Sequence, residues 1–234
     1  RVVKDAHVVK KAPIHPATGK PLRKGTIVTM APDYKVIGKN ARLSSVELVS
    51  WSHVAAYFTK ELKIRAYVRK DDRFAVKEFY APNGPIDYVN DRVQALLKTG
   101  EFSDVVEKVF VSTSALHDCV LRFTTYDGCD ARCFTNGLVN IDGGTHLNAL
   151  FAALKDALTP YAGKKQVFTV NELKDGLIGL INVKMSGPKF SSQTKEKLVD
   201  ERGTEMKPIL QKGLEDFFRA NKKIAQALVD RASR

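Results

Sequence analysis

Residues 177–198 read LIGLINVKMSGPKFSSQTKEKL, and this stretch decides the fold. Its first eight positions, Leu177–Lys184, are apolar and β-branched enough for a buried strand. At Gly187-Pro188 the composition turns polar, and Gly187 to Gly203 reads as a loop. Beyond the loop Leu210, Leu214, Phe217, Phe218, Ile224 and Leu228 stay in register along a long helical region, broken at Asn221. Upstream, Leu147, Leu150, Phe151, Leu154 and Leu158 give a second amphipathic helix, with Thr145 as its expected cap after the Gly143-Gly144 turn. Strands and helices mix without βαβ repetition, so the fold class is α+β, or an irregular α/β.

Further upstream, residues 115–126 and 129–137 read as two strands joined at Asp127-Gly128, a strong two-residue hairpin signal. In that register position i faces position 255 minus i, and Cys119 faces Asn136. Alternation then puts Cys119 on the sheet face away from Cys129 and Cys133, so these cysteines and His117 would not converge on a metal. Three cysteines are also too few for a disulfide framework and fit a reducing compartment. Residues 107–112 form a further expected strand. Thr99-Gly100 marks a candidate boundary, where the charge balance changes. Before it, Leu62–Arg69 and Phe74–Tyr80 read as short strands, and Asn83-Gly84-Pro85 leads into a helix over 86–97. Ser44 and Glu47 make a capping-box pattern that starts a helix over 44–60. Gly25–Met30 reads as a strand, preceded by a proline-punctuated basic segment.

The chain has 234 residues, 44% hydrophobic and 27% charged, which excludes a mainly disordered or collagen-like protein. No run approaches the roughly 18 consecutive apolar residues of a membrane-spanning helix. The sequence opens on Arg1 with no signal-peptide pattern and is expected to be a piece of a longer polypeptide. Lys and Arg total 38 against 26 Asp and Glu, for a net charge of +12. Positions 1–100 hold 19 basic and 9 acidic residues, whereas positions 101–234 hold 19 and 17. A one-sided basic half favours a polyanionic partner, because neutralising phosphates releases bound counterions. A merely soluble basic surface is the alternative.

Several catalytic patterns are missing. There is no G-x-x-x-x-G-K-[ST], G-x-S-x-G, H-E-x-x-H or C-x-x-C, and His7, His15, His53, His117 and His146 are scattered. Two segments stand out instead. Asn140 to His146 (NIDGGTH) offers glycines for a tight turn and a helix start whose dipole favours anions, although by itself it reads first as a structural strand-to-helix turn. Pro188 to Leu198 (PKFSSQTKEKL) offers an ammonium with amide and hydroxyl donors, a set suited to a nucleotide γ-phosphate. A solvated basic loop would satisfy the same local chemistry.

PKFSSQTKEKL resembles the Q-T-K loop of type IIA DNA topoisomerase ATPase subunits, the gyrase B and topoisomerase IV type. Phe134 to His146 (FTNGLVNIDGGTH) is similar to that family's F-x-N-x-I-x-x-x-x-G-G-T-H stretch. Asp175-Gly176-Leu177-Ile178 with Val183-Lys184 is similar to its R-E-G-L-x-x-x-x-x-V-K, and Lys24 to Val28 (KGTIV) to the K-G-T-x-V strand that closes the ATP pocket. The four matches keep the family's order. The resemblance implies the tail of a GHKL ATPase sandwich at 1–98 and a transducer domain of ribosomal-protein-S5-like fold at 99–234. It implies that Lys195 touches the γ-phosphate with Gln193 beside it, and that Thr26 and Val28 belong to the adenine pocket. It also implies ATP and Mg²⁺ as cofactors, a homodimer closing through the ATPase gate, a DNA-cleaving partner subunit, double-stranded DNA as substrate and a cytoplasmic setting. Lys4, Lys10, Lys11, Lys20, Arg23 and Lys24 are candidates for holding DNA phosphates.

The sequence also departs from that pattern. The family's catalytic glutamate, metal-binding asparagine, D-x-G-x-G and glycine-rich lid are not among these residues, nor are the Toprim E-G-D-S and the DNA-cleaving tyrosine. Arg202-Gly203 and Pro208 depart from its usual loop-to-helix exit. The isolated chain is therefore expected to be inactive. From a different class, a non-enzymatic basic nucleic-acid-binding protein of S5-like fold is the alternative.

Overall fold

A computed structural model of the chain describes residues 18–20, 33–38, 40–41, 44–59, 61–70, 72–100, 102, 105–163 and 168–233. The expected strand at Gly25–Met30 lies outside them. Contacts divide the chain into two compact units, Arg1–His53 with Lys63–Phe79, and Val54–Leu62 with Tyr80–Arg234.

The first unit holds a short helix α1 (Tyr34–Ile37), most of α2 (Ser45–Phe58) and the strands β1 (Ile64–Lys70) and β2 (Arg73–Phe79). Ser44 Oγ accepts the Glu47 N–H at 3.2 Å, so the cap starts α2 where the sequence places it. β1 and β2 pair antiparallel, with Ile64 opposite Phe79 and Lys70 opposite Arg73.

The second unit starts its regular structure with α3 (Pro85–Leu97), entered at Gly84-Pro85. Proline at the first helical position is pre-set for the helix and lacks an N–H that would go unpaired there. The Asp87 carboxylate reaches back to the Asn83 N–H at 2.8 Å. After α3 come β3 (Val105–Thr113), β4 (His117–Thr124), β5 (Cys129–Thr135), β6 (Leu138–Val139), α4 (Thr145–Leu158), β7 (Leu177–Val183), α5 (Lys207–Ala220) and α6 (Lys222–Ala232). The five strands form one sheet in the order β3-β4-β7-β5-β6. β7 runs antiparallel to β4 and parallel to β5.

This order overturns the expected hairpin at Asp127-Gly128, because β7 lies between β4 and β5. The reason is burial. All seven residues of β7 are buried, so the strand takes the centre, where both faces are covered. The β4–β5 connection passes the start of β7 and is pinned there. Gly176 N–H donates to Gly128 O at 2.8 Å, and Thr124 N–H donates to Gly176 O at 2.8 Å. Gly176 has φ +78°, and a Cβ at this position would stand 2.3 Å from Thr124 O, so the approach needs glycine.

The face assignment of the cysteines changes with the register. Cys119 and Cys133 both sit opposite Ile181, one on each side of it. They share one sheet face, two strand spacings or about 10 Å apart. That face, with Phe110, Leu121 and Phe123, packs under α4, α5 and α6. The other face, with Val120, Phe134, Ile178 and Leu180, packs against Val89 and Val93 of α3 and against Val54 and Phe58 at the end of α2. α3 precedes Thr99-Gly100 yet belongs to this core. Asn221 separates α5 from α6, its amide donating to Phe217 O at 2.7 Å, as the sequence expects.

Candidate functional site

The polar segment after β7 is a hairpin-like loop. Phe190 and Leu198 form an antiparallel bridge, Ser191 N–H donates to Lys197 O at 3.0 Å, and Val199 N–H donates to Lys189 O at 3.0 Å. Its tip turns at Ser192, whose carbonyl accepts the Lys195 N–H at 3.1 Å. Ser191 through Lys195 are exposed. Lys195 has φ +61°, a left-handed conformation rare for a residue with a side chain. Gln193 and Lys195, named from the sequence, thus share one exposed tip.

The returning arm of the loop is docked along the segment before α4. Asp142 N–H donates to Glu196 O at 3.0 Å, Leu198 N–H to Gly143 O at 3.2 Å, and Thr145 N–H to Leu198 O at 3.1 Å. Leu198 is fully buried at this junction. Gly144 has φ +151°, and a Cβ there would lie 2.6 Å from Leu198 O, so only glycine allows the two segments to touch. The Gly-Gly-Thr-His stretch and the Gln-Thr-Lys loop, distant in sequence, are therefore one structural object.

Two expectations about α4 change here. Thr145 does not cap the helix. Gly144 holds the cap position without a side-chain bond, and Thr145 Oγ1 donates to Asp200 O at 2.7 Å. The first helical N–H is also spent on Leu198 O, so that donor secures the loop and is not free for the anion that the helix dipole would favour.

A second fastening closes the base of the loop, and the sequence reading did not assign it. Asp200, 4% exposed, accepts the Arg202 guanidinium at 2.6 Å, the Arg202 backbone N–H at 3.1 Å and the Lys189 N–H at 3.1 Å. Arg202 also donates to Ser186 O at 3.2 Å and Gly187 O at 3.1 Å. The guanidinium beside Asp200 holds its carboxyl well below the usual carboxylate range. Arg202-Gly203, visible in the sequence as a departure from the family pattern, is thus part of this clamp. Gly203 leaves room for it, since a Cβ there would lie 2.3 Å from Thr145 Oγ1.

Lys184, at the end of the apolar run, donates to Asp118 Oδ1 at 2.8 Å and Ser114 O at 3.2 Å. The histidines of this unit are internal. His117 lies between Ser114 Oγ at 3.0 Å and Ser112 Oγ at 2.8 Å. Ser114 Oγ already accepts the Leu116 and His117 N–H groups, so its proton goes to Nδ1 and Nε2–H faces Ser112. Ser112 is then an acceptor, and the pair locks the β3–β4 turn without activating a nucleophile. His146 is fully buried with neither ring nitrogen hydrogen-bonded, and burial pushes its pKa down to about 4.

Thr26, Val28, Lys4, Lys10, Lys11, Arg23 and Lys24 lie outside the described residues. Lys20 is described and exposed. No group of three His, Cys, Asp or Glu among the described residues could hold a metal ion.

A family model described as DNA gyrase B matches residues 84–234, starting at the entrance to α3. The DNA gyrase B-subunit of Synechocystis sp. is 29% identical over 226 residues, covering 89% of this chain and 20% of the relative. That of Thermus thermophilus is 29% identical over 222 residues, covering 90% and 34%. Among solved structures, the 43K ATPase domain of Thermus thermophilus gyrase B in complex with an aminocoumarin superposes with a TM-score of 0.62. It is 21% identical, with coverage of 86% of this chain and 55% of that one. The B-subunit of the DNA gyrase from Myxococcus xanthus gives a TM-score of 0.63 at 19% identity, with coverage of 91% and 71%. The chain therefore spans 20% and 34% of the two curated relatives.

Proposed function

Because the chain belongs to the DNA gyrase B family, we propose that it is part of the ATPase subunit of a type IIA DNA topoisomerase, coupling ATP binding and hydrolysis to closure of a dimeric gate and passage of one duplex through another. The observation that carries this reading is the loop tip. It offers Lys195 and Gln193 to solvent from a base tied to α4 by Leu198 and to its own entry by Asp200 and Arg202. An ammonium, an amide and hydroxyls are the donors a terminal phosphate takes, and a fixed base lets the tip report whether that phosphate is present.

In this reading residues 1–98 are the end of the GHKL ATPase domain, whose last helix α3 packs into the core of the second unit, and 99–234 are the transducer domain. Lys195 meets the charge that develops on the γ-phosphate, Gln193 sits beside it, and Thr26 and Val28 contribute to the adenine pocket. The loop donors suit a phosphate, and Mg²⁺ is assigned to side chains outside this chain because the family's metal-binding asparagine is not among these residues. The general base is assigned there too, and this chain alone is inactive. Loss of the phosphate frees the loop, and the change passes through Asp200–Arg202 toward α5, an order-to-disorder switch. The gate is a homodimer working with a DNA-cleaving subunit in the cytoplasm. Lys4, Lys10, Lys11, Lys20, Arg23 and Lys24 hold phosphates of the passing duplex without reading bases.

The test assembles the full subunit with its DNA-cleaving partner on closed circular DNA. ATP-dependent change of linking number, or ATP-dependent decatenation, is the expected result. A complex that binds DNA but alters no topology with ATP present overturns the reading.

A further inference from the structure

We infer that Asn140 is the positioning residue for Lys195, its buried carboxamide holding the lysine backbone in the left-handed conformation from which the ammonium is presented. Asn140 is 2% exposed, and its Nδ2 donates to Lys195 O at 2.8 Å. Its Oδ1 accepts the hydroxyl of Thr135, also 2% exposed, at 2.7 Å. The orientation of the amide follows from the partners. A carbonyl oxygen can only accept, so the NH₂ end must face Lys195 and the oxygen must face Thr135. The backbone of Asn140 is fixed as well, with its N–H donating to Cys133 O at 2.9 Å and its carbonyl accepting Cys133 Sγ at 3.2 Å.

Lys195 gains from this tie because of its backbone. At φ +61° a residue with a side chain is disfavoured, and the conformation persists where surrounding bonds over-determine it. Here those bonds are the N–H to Ser192 O and the carbonyl to Asn140 Nδ2. The first lies inside the exposed tip. The second reaches the core, because Asn140 is anchored to β5 through Cys133 and Thr135. A carboxamide suits this position chemically, since one end must accept from a hydroxyl and the other must donate to a carbonyl. The inference rests on the proposed phosphate contact of Lys195.

Asn140→Asp keeps the shape and the acceptor for Thr135 but, when ionised, sets oxygen against the Lys195 carbonyl. Protonation restores a donor, and burial raises a carboxyl pKa. The titratable and charged side chains on the surrounding segments are Cys129, Asp130, Arg132 and Cys133 on β5, Asp142 and His146 on the segment of Asn140 itself, and Lys195, Glu196 and Lys197 of the loop. Burial pushes the Cys133 thiol up to about 12 and His146 down to about 4, so neither changes charge between pH 6 and 8. In the full subunit, N140D should turn over ATP about tenfold more slowly than wild type at pH 8, with KM for ATP within threefold. The deficit should narrow as both proteins are taken to pH 6. Asn140→Ser, too short to reach Lys195 O, should be impaired at every pH. In the 234-residue chain, amides 192–196 should exchange faster in N140S than in wild type. Normal turnover of N140D at pH 8, a deficit equal at both pH values, or unchanged exchange would overturn the inference. Lys195→Ala separates the two readings. If that variant keeps full turnover the phosphate contact fails, and the exchange measurement still decides whether Asn140 holds the loop.

Discussion

Gly144→Ala is the substitution whose cost the structure specifies most fully. The residue has φ +151°, a region occupied almost solely by glycine, and a Cβ would meet Leu198 O at 2.6 Å, Leu198 Cβ at 2.8 Å and Leu198 N at 2.9 Å. Two of those three atoms are backbone, so the loop arm has to move away. Forcing the backbone costs about 1–3 kcal/mol. Moving Leu198 weakens the bonds from Leu198 N–H to Gly143 O and from Thr145 N–H to Leu198 O, each about 1 kcal/mol. The total is roughly 3–5 kcal/mol, a fall in Tm of about 10 °C at about 2–4 °C per kcal/mol for a chain of this length. Gly187→Ala is the control. Its φ is +56° with nothing within 4 Å of the added Cβ, so it bears only the left-handed penalty of about 1–2 kcal/mol. Thermal unfolding followed by circular dichroism, with hydrogen exchange over residues 189–200, reads both. A G144A chain melting within 1 °C of wild type, or no more destabilised than G187A, would refute the docking of the loop arm on Gly144.

The remaining expectations concern pH, the base of the loop and DNA. His146, with its pKa pushed down to about 4, stays neutral in the fold while the unfolded chain takes a proton below about 6.5. The unfolded state then binds more protons between those values, so stability falls as pH drops through that window, by up to about 3 kcal/mol at pH 4. Urea titrations of wild type and His146→Leu should show the loss reduced in the variant; parallel pH profiles would contradict it. Asp200→Asn removes the carboxylate that binds Arg202, and trypsin should cut faster after Lys189 and Lys197. Because that carboxyl is held below its ordinary value, its contribution is present above about pH 4 and lost on further acidification; equal cleavage rates at pH 7.5 would remove the clamp. Changing Lys10, Lys11, Arg23 and Lys24 to Ala should weaken DNA binding and flatten the log Kd against log salt slope by up to about 3–4. An unchanged slope takes these residues off the DNA path.

Element types were legible in the sequence wherever periodicity and punctuation agreed. The stripe from Leu147 to Leu158, the cap at Ser44 and the break at Asn221 all left local marks. Strand partners left none. Asp127-Gly128 flanked by two alternating segments carries the local signal of a hairpin, yet β7, from some 50 residues downstream, separates the strands because it alone is buried at every position. Pairing is a global competition for the sheet centre, and local alternation does not encode it. At the candidate site the loop and its lysine were visible as composition, whereas the fastenings were not. Asn140, Thr145 and Asp200 act through bonds to backbone carbonyls and amides, and backbone groups look the same in every sequence. Thr145 illustrates the error this causes, since a threonine at a helix start reads as a cap until its hydroxyl is found on Asp200 O.

The proposed mechanism turns on a loop tip that senses a phosphate through one lysine. ATP turnover by the full subunit carrying Lys195→Ala, set against Lys197→Ala, tests it most directly, because both side chains are exposed on the same loop two residues apart. In the proposed mechanism Lys195 acts on charge developing at the γ-phosphate, where losing one such donor costs about 10²-fold or more in turnover, while ATP affinity should fall much less. Lys197→Ala should leave turnover within about twofold of wild type, as expected for a solvated charge. A loss of about 10²-fold or more confined to Lys195→Ala is the predicted result. Equal losses from the two substitutions, or none from Lys195→Ala, would contradict it.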